Sequence, residues 1–68
     1  MDSIFKFKTD TNYAVVDDGI PGIFFGREGQ LVKGKIVENR RAMFMGLIVL
    51  VHSKGILSLP AKDVEQVK

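Results

Sequence analysis

The stretch MFMGLIVLVH, Met43 to His52, sets the hardest condition on this chain, because it is apolar on every side in a protein of only 68 residues. Its uncharged run, Ala42 to Val51, is ten residues long, about half of the roughly 20 that a helix needs to cross a bilayer, so no membrane span is expected. Its valine and isoleucine content favours a strand over a helix. With the two-residue period of a strand, Met43, Met45, Leu47, Val49 and Val51 fall on one face and Phe44, Ile48 and Leu50 on the other. A strand that is apolar on both faces is covered on both. A small core can take one face, which leaves the other to a neighbouring copy or to the N-terminal segment.

The length makes oligomerisation the expected remedy. A chain this short buries only about 60% of its unfolded surface, so a lone core is marginal. The sequence has no cysteine and one histidine, which excludes disulfides and thiolate metal sites and leaves too few ligands for zinc. Burial between identical copies remains. The N-terminal MDSIFKFKTD is acidic at position 2 and lacks an apolar core of signal length, so a cytoplasmic protein without a leader is expected.

Short strands separated by turn residues run through the rest. IFKFK alternates Phe5 and Phe7 with Lys6 and Lys8, and YAVV is a second β-prone run. DDGIPG, Asp17 to Gly22, reads as a turn. Ile23 to Phe25 then leads through GREG into QLVKGKIVE, where Gly34 inside the strand predicts a bulge or strong bend. Asn39 to Arg41 is read as the next turn and Ser53 to Gly55 as another. Pro60 interrupts ILSL, and DVEQV closes the chain as a short strand. Five or six short strands predict an all-β fold, a small and strongly bent five-stranded SH3-like barrel. Residues 1–20 are expected as an extended N-terminal arm or extra strands, and residues 21–68 as the barrel, in one domain overall.

Two stretches carry a family resemblance. EGQLVKGKI places Gly29, Val32, Gly34 and Ile36 as in the first motif of the Sm-like (LSm, Hfq-like) family. KGILSLPAKDVEQV places Gly55, Leu59, Val64 and Val67 as in the second. The chain resembles that family from about Ile23 to Val67. The resemblance implies a ring of about five to seven copies joined through strand edges, with single-stranded RNA held by the loops ENRRAMF and LPAKD. The family's loop Asp and Asn would fall near Arg40 and Phe44, and the second motif's Arg-Gly is Pro60 and Ala61 here.

Charge is spread unevenly: residues 1–25 carry −2, residues 26–54 carry +4, and the remainder is neutral. A basic middle segment suits an anionic partner and equally suits a solvated surface. Arg40 and Arg41 would form a cationic annulus if repeated around a ring, and a solvated turn in a monomer. Lys62 has the same two readings. Phe44 is read either as a base-stacking platform or as core. Met43, Met45, Leu47, Val49 and Val51 are the expected oligomer interface. His52 stands without a cysteine partner or a legible Ser-His-Asp pattern, so no enzyme, metal or cofactor is expected. Two functions are compatible with these residues: a homo-oligomeric Sm-like ring that binds single-stranded RNA, or a protein-interaction module that docks its apolar strand on a larger partner.

Overall fold

The computed structural model describes residues 2–53 and 55–67. Of the turn expected at Ser53 to Gly55, Lys54 lies outside the described residues. The fold is all-β apart from one helical turn and one 3-10 turn: β1 (Ser3–Phe7), β2 (Thr11–Asp17), β3 (Ile20–Gly26), β4 (Leu31–Val37), α1 (Arg40–Phe44), β5 (Leu47–His52), β6 (Gly55–Pro60), η1 (Ala61–Asp63) and β7 (Val64–Val67). The strands form one antiparallel sheet in the order β3-β2-β6-β5-β4-β1-β7. The expected five-stranded closed barrel is therefore corrected to a seven-stranded open sheet whose edges are β3 and β7.

The additional strands come from residues 1–20, the segment expected as an extended arm or extra strands. In β1, Phe5 and Phe7 are buried while Ile4 and Lys6 face outward, and in β2 Tyr13 and Val15 are buried in the same alternating way. The period-2 pattern thus feeds the core directly, and β1 lies between β4 and β7. Phe5, Phe7, Tyr13 and Val15 pack with Leu50, Leu57, Leu59 and Val64, with Val32 and Ile48 against them. A free arm would leave half of that cluster in water.

β2 and β3 form a tight hairpin. Asp17 pairs with Ile20 across a two-residue turn, Asp18 at φ 52° and Gly19 at φ 78°. Two successive positive φ values define the type I′ turn, whose twist matches that of the flanking strands. The turn expected over Asp17 to Gly22 is thus two residues long, and Ile20 to Gly22 already belong to β3.

β4 serves two neighbours in succession. Residues Leu31 to Gly34 pair with β1, and Lys35 to Val37 pair with β5. The change of partner falls at Gly34, where an added Cβ would stand 3.0 Å from the Leu50 Cβ and 3.1 Å from the Val51 carbonyl oxygen. Glycine suits this corner, because any side chain would force Leu50 or the Val51 carbonyl to give way by a few tenths of an ångström.

The single-strand reading of Met43 to His52 is corrected. Asn39 caps α1, its Oδ1 accepting from the Ala42 N–H at 3.0 Å, and Gly46 at φ 78° ends the turn by donating its N–H to the Met43 carbonyl. These start and stop signals bracket Arg40 to Met45, so the β preference of Leu47 to Val51 does not extend back through Met43. The strand β5 begins only at Leu47, so Met43 and Met45 do not share a strand face with Leu47, Val49 and Val51. Arg40 and Arg41, expected in a turn with Asn39, form the first residues of the helix.

Candidate functional site

α1 stands on one buried residue. Ala42 faces the sheet, whereas Arg40, Arg41, Met43, Phe44 and Met45 are exposed. Five residues of helix cannot hide an apolar side chain on the outward side, and Phe44 is 92% exposed, between Met43 at 62% and Met45 at 66%. A large aromatic left almost wholly in water, flanked by two methionines, is the kind of exposed apolar feature that marks a contact surface.

The expected RNA-binding residues meet at one end of the sheet. Arg40, Arg41 and Phe44 share α1, and the 3-10 turn carrying Lys62 is tied to the end of that helix by the Ala61 N–H, which donates to the Gly46 carbonyl at 2.8 Å. Leu47 and Pro60 are paired just beyond. Lys62, like the two arginines, is exposed.

The expected interface residues are divided by the helix. Leu47 and Val49 are half-buried and Val51 is 37% exposed on β5, while the two methionines stand on α1 and the residue after it. Two apolar depressions flank α1. One, of about 520 Å³, runs among Phe5, Ile36, Ala42, Met43 and Ile48; the other, of about 350 Å³, lies among Met45, Leu47, Val49, Val51 and Ile56. Strand register extends the second across the sheet, because Val51 pairs with Ile56, Ile56 with Val16, and Val16 with Pro21.

One further surface is not legible in the sequence. On β3, Ile20 and Ile23 are about seven-tenths exposed and Phe24 and Phe25 more than half. IPGIFFG reads as an apolar strand, but nothing local to it says that it will have a neighbour on one side only. That results from β6 pairing with β2, which makes β3 the edge.

Among the described residues no three of His, Cys, Asp and Glu come together as a metal site, and no helix is long and apolar enough to cross a membrane. His52 closes β5 opposite Gly55. Lys6 and Glu65 form an ion pair of 3.7 Å with both side chains about half exposed, a geometry worth little. No family model matches the chain, no curated protein matches it, and no solved structure matches its fold.

Proposed function

We propose that this chain is a small, non-catalytic protein-interaction module that docks its α1 end on a larger protein. The observation that carries the reading is Phe44, 92% exposed between two exposed methionines, beside an apolar groove of about 520 Å³. An aromatic anchor with adaptable methionines around it gives a contact that is apolar at its centre, and the arginines of the same turn supply a polar rim. Binding would bury the side chains that the fold leaves in water.

A second reading rests on the same turn. Arg40, Arg41 and Phe44 on α1, with Lys62 joined to them through the Ala61 to Gly46 hydrogen bond, combine phosphate-binding cations with a face on which a base could stack. It is the RNA-binding ring that the Sm-like resemblance implies, in which the loops after β4 and β6 would line a pore.

A single cross-linking experiment separates the two. Phe44 is replaced by a photoreactive phenylalanine analogue in the cells that make the protein, and the adducts formed on irradiation are digested with protease or with ribonuclease. A discrete adduct to a larger polypeptide, resistant to ribonuclease, is expected. Adducts that ribonuclease removes would transfer the assignment to RNA, and irradiation without any adduct would sink both.

A further inference from the structure

The β3 edge is a second surface, and its chemistry differs from that of the α1 end. From Ile20 to Gly26 it carries no charge. Natural sheets blunt exposed edges with lysines, prolines or bulges, and here the blunting is limited to Pro21 near the hairpin. The other edge, β7, carries Glu65, which is paired with Lys6. From Gly22 onward β3 is left ready to pair.

The backbone groups available there are set by the hairpin. A two-residue turn makes Asp17 and Ile20 the first pair to exchange hydrogen bonds, and antiparallel pairs alternate. The N–H and C=O groups of Gly22, Phe24 and Gly26 therefore point to β2, and those of Ile23 and Phe25 point outward. Pro21 also points outward, with a carbonyl but no N–H to offer.

The sequence of this segment says what completes it. Gly22-Ile23-Phe24-Phe25-Gly26 reads the same in either direction by residue class, with glycine at both ends, apolar residues inside them and Phe24 at the centre. An antiparallel strand with that property is complementary to itself. A two-fold axis through Phe24 sets Ile23 of each chain opposite Phe25 of the other and Gly22 opposite Gly26. The four outward N–H and C=O pairs then make four hydrogen bonds, and Pro21 lies outside the ladder. Both partners present the same face, as a two-fold interface requires.

The chain exposes 5104 Å², whereas a folded monomer of 7.6 kDa is expected to expose only about 4300 Å². The excess, about 800 Å², belongs to the whole molecule, and Ile20, Ile23, Phe24 and Phe25 of β3 contribute to it alongside Met43, Phe44 and Met45 of the α1 end. We infer that two copies of this chain pair edge to edge through β3, centred on Phe24, to form a continuous fourteen-stranded sheet. This dimer does not depend on what α1 binds, and it differs from a ring, in which one edge of each copy would meet the opposite edge of the next.

Sedimentation equilibrium of the full chain tests it. The wild type is expected at twice the chain mass, and Ile23→Lys with Phe25→Lys at the mass of one chain, with dimerisation weakened at least a hundredfold and an unchanged far-ultraviolet spectrum. Both side chains are more than half exposed and both N–H groups point away from β2, so the fold does not need them. Gln66→Lys on the β7 edge is expected to leave the dimer intact. Because the chain has no cysteine, Phe24→Cys adds a single thiol, which is expected to oxidise rapidly to a cross-linked dimer, while Gln66→Cys does not. A wild type that stays monomeric, a dimer indifferent to the lysines, or a larger assembly broken by Gln66→Lys would overturn the inference.

Discussion

The Phe7 ring rests on the backbone of Gly26: a Cβ built at residue 26 would fall 2.5 Å from the Phe7 Cζ. Phe7 is wholly buried, so the ring is a core side chain and not a flexible surface one that could swing into solvent. The last residue of β3 must therefore be glycine for the first strand to seat Phe7. The Gly29 N–H donates to the Phe7 carbonyl at 2.8 Å and the Phe7 N–H to the Gln30 carbonyl at 3.0 Å, fixing the same contact from the loop side.

Gly26→Ala is accordingly expected to destabilise the fold by about 1–3 kcal/mol through overpacking. Phe7→Leu costs stability by itself, yet it should restore part of the loss when added to Gly26→Ala, since a shorter side chain makes room. Urea unfolding of the two single variants and the double variant measures the coupling. Strict additivity would show that the two residues do not meet.

Asn39→Ala removes the side-chain acceptor of the Ala42 N–H. A loss of about 1 kcal/mol is expected, as for other N-caps, with amide hydrogen exchange accelerating at Ala42 and Met43 before it changes in β5. Restoration by Asn39→Asp, which keeps the acceptor, would tie the effect to the cap. An equal loss in both variants would remove the cap from the explanation.

Arg40→Ala with Arg41→Ala discriminates between partners. If the α1 end holds RNA, affinity for a short oligouridine falls and the slope of log K against log salt flattens by about 1.4, near 0.7 for each phosphate that is no longer neutralised on a single strand. If it docks on a protein through Phe44, the slope for oligouridine is unchanged by the substitution. Fluorescence anisotropy over a range of salt concentrations gives both numbers.

Much of the sheet is legible in the sequence because its signals are local. The alternation in β1 and β2, the Asp-Gly turn and the glycine at the β4 corner each depend on neighbouring residues, so strands and turns can be placed from sequence. Which strand lies beside which cannot. β2 pairs with β6 across about forty positions of sequence, and that long-range choice joins the N-terminal hairpin to the rest of the sheet and leaves β3 outermost. The helix escapes notice for another reason: the Val and Ile content after Leu47 argues for a long strand, although Asn39 and Gly46 mark a start and a stop within eight residues. Arg40, Arg41 and Phe44 on α1 and Lys62 on η1 come from segments far apart in the sequence. Their shared end of the sheet depends on a backbone bond between Ala61 and Gly46, which no side-chain pattern announces.

The pairing of β1 with β7 sets Ile4 opposite Val67, so the chain leaves the sheet within one strand spacing of where it enters. A unit of that kind can be spliced into a surface loop of a host protein, or joined head to tail through a few flexible residues, while every pair of its ladder is kept. Loop-closure cost grows only slowly with linker length, so such a graft costs the unit little. The same neighbourliness means that mechanical load applied at its two extremities unzips one short ladder, β1 from β7, pair by pair, before it reaches the strands that hold Leu50 and Leu59.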